Sequence, residues 1–312
     1  MNLIFCGTPQ FAVPTLEKLI AGQWAPQLVV TNPDEPRGRG HKVQPSPVKE
    51  AAQRHGIEVY QPAKLKGPEV QAFLSKYRPD AIVVVAYGHL IPQWMIDLPR
   101  LGCINLHGSI LPKYRGAAPL AWAIIRGEKE TGVTTMKIDA GMDTGDMLLV
   151  RREPILDDDT TESLGQRLSV MGADLMLETL RKLERGEIIP QPQDSTLATL
   201  APRLKKSDGR IDWTQPAADL ALRVRGLAPW PGSYTTFRGK NLHIWRAQAT
   251  AAPAGAELAP GTAVTDGGKL AVAAGAGTLL VLEEVQAEGR KRISARDFMN
   301  GARVDPGEIL GS

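Results

Sequence analysis

The sequence predicts an α/β chain in two parts: a Rossmann-like, doubly wound parallel sheet, then a smaller all-β domain. Three observations carry this reading. Up to residue 186, strand and helix signals alternate in a βαβ rhythm. Residues 81–85, Ala-Ile-Val-Val-Val, show no polar alternation, as expected of a central strand covered on both faces. From residue 188 the segments become short and are punctuated by Gly and Pro. A chain of 312 residues is long for one core and comfortable for two.

The elements follow in order. Residues 3–6 form an apolar strand, broken by Gly7-Thr8-Pro9. Phe11, Leu16, Leu19 and Ile20 fall at helical spacing. Residues 28–31 read as a second strand. Ser46-Pro47 opens a helix in the favoured cap-then-Pro order, and Gly56 stops it. A brief strand at 59–60 and a helix at 68–77 precede the 81–85 strand. A short helix at 92–96, a strand at 103–107 and a helix at 118–125 come next. Residues 133–138 and 147–151 read as two further strands, and 160–184 as a long helix. Pro190, Pro192 and Pro202 mark a segment that wraps rather than folds. Beyond it, short strands at 234–237, 242–245, 261–264, 270–273 and 278–285, with one helix at 216–225, suggest a small barrel or sandwich. The expected division is a first domain at 1–189, a linker at 190–206 and a second domain at 207–312.

Composition excludes several classes. The net charge of +3 is too mild to argue for a nucleic-acid partner by itself. Cys6 and Cys103 sit in apolar strands and read as core hydrophobes, with no second Cys or His at metal spacing, so no metal is expected. No apolar run approaches the ~18 residues of a membrane span, and the start lacks a signal-peptide pattern. A soluble, reduced, cytoplasmic protein is expected, without a membrane partner. The pattern G-x-G-x-x-G is absent, and Pro9 has no amide N–H for a pyrophosphate, which argues against NAD.

The chemistry gathers at the end of the 103–107 strand. Asn105 and His107 are two residues apart and so share a face. They are followed by a Gly/Ser/Pro loop, and Tyr87-Gly88-His89 follows the 81–85 strand. Open sheets bind ligands beyond the carboxyl ends of their strands. Asp143 lies on the glycine-bent loop Gly141-Met142-Asp143-Thr144-Gly145. Taken singly, Asn105 could satisfy loop amides, His107 could be structural and Asp143 could be a turn residue. Together they fit transfer of a small acyl group to an amine. Asn105 and protonated His107 can hydrogen-bond the tetrahedral oxyanion. Asp143 can hold His107 charged and take the amine's proton. No Ser or Cys has the context of a covalent nucleophile.

Two basic regions suggest a polyanionic acceptor. The 32–44 loop carries Arg37, Arg39, His41 and Lys42 at the same rim. In the second half, Lys205, Lys206, Arg210, Arg223, Arg225, Arg238, Lys240 and Arg246 face only Asp208, Asp212 and Asp219 over the same stretch. Arg290-Lys291-Arg292 adds another cluster. These read as a solvated face or as an RNA platform. Of Trp213, Trp230 and Trp245, at least two are expected in the core, from their apolar neighbours.

These motifs resemble those of the methionyl-tRNA formyltransferases nearly end to end. The likeness rests on Phe5-Cys6-Gly7-Thr8-Pro9, Gly38-Arg39-Gly40, Pro45-Ser46-Pro47, the stretch from Asn105 to Gly116, Met142-Asp143-Thr144-Gly145-Asp146 and Pro229-Trp230-Pro231. The resemblance implies a formyltransferase-type sheet followed by an OB-like barrel that grips tRNA. It implies 10-formyltetrahydrofolate as donor, initiator methionyl-tRNA as partner and a monomeric enzyme. It implies that Asn105, His107 and Asp143 are catalytic. Ser109, Ile110, Leu111 and Pro112 match the folate-contacting turn, with the pteridine near Tyr87 and Gly88. Arg39 matches the loop residue that meets the tRNA acceptor end, with Lys42 beside it. Lys205 and Lys206 match a basic linker. The alternatives are a folate-dependent formyltransferase or hydrolase with a small-molecule acceptor, and a non-catalytic RNA-binding protein on a retired enzyme fold.

One prediction follows from the loop. Arg39→Ala weakens use of charged tRNA and leaves folate binding unchanged, as read by steady-state kinetics with each substrate varied. Weakened folate binding would show that the loop serves the donor instead.

Overall fold

The computed structural model describes residues 1–37 and 42–311. Two compact units divide them. The first comprises residues 1–119, 130–154 and 165–202, and the second comprises 120–129, 155–164 and 203–312. Arg39 and His41 lie outside the described residues, and Lys42 is described only through its backbone.

The first unit begins with β1 (Leu3–Gly7), α1 (Val13–Ala21) and β2 (Leu28–Val30). The basic loop is in part a hairpin, β3 (Glu35–Arg37) and β4 (Lys42–Gln44), where the sequence suggests only a flexible loop. Next come α2 (Pro47–Arg54), β5 (Glu58–Tyr60), α3 (Pro68–Ser75), β6 (Ala81–Val85), α4 (Gln93–Ile96) and β7 (Cys103–His107). Strands β8 (Glu130–Lys137) and β9 (Met147–Pro154) complete the series; helix α5 (Pro119–Ile125) belongs to the second unit from its second residue on, and helix α6 (Thr161–Glu184) to the first unit from Gly165 on. Ser46 caps α2 as expected, its hydroxyl accepting the Lys49 N–H at 3.1 Å.

The sheet order is β5-β2-β1-β6-β7-β8-β9. From β5 to β7 all pairs are parallel, and β1 and β6 are buried along their whole length. Both faces are therefore covered, which is why these strands lack alternation. The last two pairings, β7 with β8 and β8 with β9, are antiparallel, so β8 alone runs against the rest and the sheet is mixed. That direction changes how the site is assembled. The end of β8, Lys137, pairs with Ile104 at the start of β7, whereas Thr134 pairs with His107. The loop after β8 must travel back along β7 to bring Asp143 to His107. The shared rim that serves Asn105 and Gly88 does not by itself account for it.

Gly7 closes the β1 turn where a nucleotide fingerprint would stand. A Cβ there would lie 2.8 Å from Phe5 Cε1, 2.9 Å from Ala12 Cβ and 2.9 Å from the Val85 carbonyl. The glycine thus serves close packing of the α1 approach on β1 and β6. Cys6 and Cys103 are fully buried, and burial pushes the Cys103 thiol up to about 12.

The second unit holds α7 (Ala217–Gly226), β10 (Ser233–Phe237), β11 (Lys240–Ala251), β12 (Ala263–Asp266), β13 (Lys269–Ala274), β14 (Thr278–Ala287), β15 (Ile293–Ser294) and α8 (Ala295–Ala302). The strands form one antiparallel sheet, β10-β11-β14-β13-β12, with β15 added to β14. Leu242, Ile244, Val272, Leu280 and Val285 pack with Leu220 and Val224 of α7 and Phe298 of α8 in its core. Strand β11 is twelve residues long, far beyond the expected 242–245; its pairing with β14 continues past register shifts on either side of Arg246 as far as Ala251. Helix α8 has no counterpart in the sequence reading; Ser294 caps it by accepting the Asp297 N–H.

One expectation for this unit is corrected. Only Trp213 of the three tryptophans is buried, its indole N–H donating to Thr235 Oγ1 at 3.1 Å. Trp245 lies on the alternate face of β11, with the Arg292 guanidinium 3.6 Å from its ring centre, and Trp230 is 56 % exposed. Three of the second unit's arginines have carboxylate partners. Arg246 pairs with Glu283, Arg238 with Glu308 and Arg292 with Glu284, carboxylates that lie outside the 205–246 stretch. Lys205 and Lys206 remain exposed.

Gly7→Val overpacks the β1 turn. The variant unfolds at lower urea with a loss of about 1–3 kcal/mol, measured by circular dichroism; an unchanged midpoint would mean that α1 yields freely.

Candidate functional site

Five-residue β7 delivers Asn105 and His107 from a strand that is otherwise apolar and buried. His107 is 5 % exposed. Its Nε2 lies 2.9 Å from the Tyr114 carbonyl oxygen. A carbonyl only accepts, so Nε2 carries a proton and donates. Nδ1 then faces Asp143, whose Oδ2 is 3.7 Å away. That separation is in ion-pair range and too long for a direct hydrogen bond. With the proton on Nε2, a neutral ring would turn a lone pair toward the carboxylate. The pair is complete only when a further proton stands between the two, on the ring or on a guest.

Asp143 is held in a left-handed backbone conformation, φ 53°. For a non-glycine residue this costs roughly 1–3 kcal/mol and persists only when neighbours impose it. The neighbours are visible. Asp143 Oδ2 accepts the Gly116 N–H at 2.8 Å. Gln193 Nε2 donates to the carbonyls of Asp143 at 2.8 Å and Gly145 at 2.7 Å. At Gly145 a Cβ would meet the Lys137 carbonyl oxygen at 1.9 Å, so only glycine lets the loop return this closely over β8. Asp139 closes the near side, accepting from the Gly141 N–H and the Thr144 hydroxyl.

Asn105 is half-buried, and its carboxamide has no hydrogen-bond partner among the described residues. It is thus an available N–H donor on the face it shares with His107. The Ser109–Pro112 turn is fixed from below by Thr134. The Thr134 hydroxyl donates to the Ser109 carbonyl at 2.7 Å and accepts the Leu111 N–H at 3.2 Å. The Ser109 hydroxyl donates to the Lys113 carbonyl at 2.6 Å, and both Ser109 and Leu111 are buried. From this turn, Ile110 and Pro112 are the half-exposed side chains. Tyr87 is 2 % exposed and packs among Cys6, Ile82 and Val84, its hydroxyl without a partner among the described residues. Burial pushes that hydroxyl's pKa up. Gly88 is exposed.

Asn105, His107 and the 109–112 turn thus lie on one continuous segment, and Asp143 joins it through Gly116. Lys205 and Lys206 belong to the second unit and Arg39 is outside the described residues. Sequence reasoning missed Tyr114, Arg115, Gly116, Thr134 and Gln193 as supports. Apart from the Arg115 guanidinium, which binds a neutral amide, their contributions come through backbone groups or neutral side chains, which carry no motif. Among the described residues, no three His, Cys, Asp or Glu gather as a metal site, and no helix is long and apolar enough to cross a membrane.

Comparison with known proteins gives a consistent picture. Residues 1–180 match the formyl transferase family, and residues 203–303 match its C-terminal domain. A methionyl-tRNA formyltransferase of Koribacter versatilis is 54 % identical over 312 residues, covering 100 % of this chain and 99 % of that protein. Among solved structures, an N-formyltransferase from Helicobacter canadensis, complexed with folinic acid and dTDP-3-aminofucose, superposes with a TM-score of 0.68 at 18 % identity, over 92 % of this chain and 99 % of that one. HypX from Aquifex aeolicus, complexed with tetrahydrofolic acid, gives a TM-score of 0.61 at 19 % identity, over 96 % of this chain and 47 % of that one. At these identities the two structures attest the fold.

Thr134→Val keeps the shape of the side chain but leaves the Leu111 N–H and the Ser109 carbonyl unpaired in a buried site. The expected loss is about 1–3 kcal/mol for each group, read from urea unfolding; a loss under 0.5 kcal/mol, an order-of-magnitude threshold, would mean that water replaces the hydroxyl.

Proposed function

We infer the reaction from the premise that this chain belongs to the methionyl-tRNA formyltransferase family. It transfers a formyl group to the α-amino group of methionine carried on tRNA. The donor we propose is 10-formyltetrahydrofolate, and the acceptor is the initiator methionyl-tRNA. The reacting groups lie in the first 189 residues, residues 190–206 join the two domains, and residues 207–312 hold the tRNA. The enzyme works as a cytoplasmic monomer.

One observation carries the reading: the His107–Asp143 pair is incomplete without a shared proton, and the free Asn105 carboxamide lies on the face that His107 shares. Formyl transfer to an amine supplies both missing partners. The free amine attacks the formyl carbon; its nitrogen turns cationic and must lose a proton as the formyl oxygen gains charge, and the bond from the formyl carbon to the donor nitrogen then breaks, that nitrogen taking up a proton as it leaves. Asn105 donates to that oxygen. Asp143, 3.7 Å from Nδ1, receives the amine's proton into the gap, directly or through water. His107 cannot turn away, because Tyr114 holds Nε2. The donor supplies an activated formyl carbon; Ile110 and Pro112 would form the apolar wall against its ring, and the backbone at Tyr87 and Gly88 the opposite side. The Tyr87 side chain, sealed in the core, contributes only indirectly. On the acceptor side, exposed Lys205 and Lys206 and the Arg39 loop meet the phosphates.

The test mixes the purified full chain, formyl-labelled 10-formyltetrahydrofolate and charged initiator tRNA. Label is expected on the aminoacyl-tRNA, and His107→Ala lowers kcat by roughly 10²–10⁴-fold. Release of labelled formate without an acceptor would indicate a hydrolase. Label on glycinamide ribonucleotide or an amino sugar, with none on tRNA, would indicate a small-molecule enzyme.

A further inference from the structure

The segment after α6, residues 190–202, lies along the first unit as a hydrogen-bonded strap. Met147 and Gln191 exchange both backbone hydrogen bonds at 2.9 Å. Further on, Tyr114 N–H donates to Thr199 Oγ1 at 2.9 Å, Arg115 N–H to the Thr199 carbonyl at 2.8 Å, and Ala201 N–H to the Arg115 carbonyl at 2.7 Å. Between these two anchorages sits Gln193. Its Oε1 accepts from Arg115 Nε at 3.0 Å and Nη2 at 2.8 Å, while its Nε2 donates to the Asp143 and Gly145 carbonyls.

The orientation of this carboxamide is forced. A guanidinium only donates and a carbonyl only accepts, so exchanging the amide oxygen and nitrogen would break all four bonds. Arg115 is 8 % exposed and has no carboxylate in ion-pair range among the described residues. A buried cation thus polarises a neutral amide, which in turn grips two peptide carbonyls either side of the loop residue Thr144. One of those peptides belongs to Asp143, the residue in the left-handed conformation.

We propose that Gln193, oriented by Arg115, is a positioning residue for formyl transfer: it holds the Asp143 backbone so that Oδ2 stays on the Gly116 N–H and beside His107 Nδ1. This inference rests on the reading of His107 and Asp143 as the reacting pair. Gln193 touches no reacting atom, and its effect passes entirely through Asp143. Removing it should therefore impair turnover and not binding, and should matter little once Asp143 has lost its charge.

A double-mutant cycle on the full chain tests this, with kcat and KM measured for 10-formyltetrahydrofolate and charged initiator tRNA. Gln193→Leu should lower kcat by ~10–100-fold, the scale of a small misplacement of a catalytic group, with both KM values within about twofold of the parent. In an Asp143→Asn background the same change should cost less than about twofold, since coupled residues are non-additive. Gln193→Glu keeps the size and the bond to Arg115 but sets an oxygen against two carbonyl oxygens. It should lose as much kcat as Gln193→Leu, and it carries the cycle if the leucine variant does not fold. Full activity of Gln193→Glu would overturn the proposal, as would an equal cost of Gln193→Leu in both backgrounds. Unchanged turnover of Asp143→Asn would instead remove the catalytic pair itself, and the proposal with it.

Discussion

The hydrogen bond from His107 Nε2 to the Tyr114 carbonyl is the constraint around which the site is built. It selects one tautomer, fixes the plane of the ring and aims Nδ1 at a carboxylate. The bond closes a seven-residue excursion, and everything between its ends must fold to suit it. The Ser109–Pro112 turn is that excursion. Thr134 supports it from the neighbouring strand, and the Ser109 hydroxyl ties its beginning to its end. A ring held this way cannot relax toward solvent when its environment changes. Preorganisation of this kind lets a polar group act on developing charge without first reorienting.

Asp143 is fixed by different means. Its loop follows a strand that runs away from His107, so the chain has to double back, and it does so through Gly145 packed against the Lys137 carbonyl. The resulting left-handed Asp143 backbone would relax if left alone. Side-chain acceptance from Gly116 and the paired carbonyl contacts of Gln193 hold it. The two halves of the reacting pair therefore depend on separate supports, which meet only at the segment from Tyr114 to Gly116.

Much of the fold was legible because burial on both faces leaves a plain mark. The unbroken apolar runs at 3–6 and 81–85 are strands of the central sheet, and the Ser46-Pro47 start is a capped helix. Asn105, His107 and Asp143 could be picked out because amide, imidazole and carboxylate are rare together at strand ends. What was not legible depended on pairing. Strand direction in β8 and β9 follows from register, which an alternating pattern does not reveal. The length of β11 follows from its pairing with β14, which resumes beyond Arg246. Trp245 has apolar neighbours in sequence, yet strand alternation puts it on the opposite face from Leu242 and Ile244, where it meets Arg292. The arginines of the second unit seemed unopposed because their carboxylates, Glu283, Glu284 and Glu308, come from other strands and from the chain's last turn. Gln193 was invisible for a simpler reason: a neutral residue between prolines has no chemistry until its neighbours are known.

The strap also bears on when the enzyme becomes competent during its synthesis. The Rossmann-like sheet is finished by residue 154, and α6 by residue 184. Yet the bonds that lock the site join residues separated by 50 positions for Gln193 and Asp143, 78 for Gln193 and Arg115, and 85 for Thr199 and Tyr114. Such non-local closures come late, since the chain between them must be ordered first. A nascent chain whose sheet has folded still lacks them until residues 193–201 have left the ribosome. A fragment cut at residue 189 would lack these bonds permanently, with the Asp143 loop unlatched. The end of the catalytic unit in the chemical sense therefore lies beyond the end of its last helix.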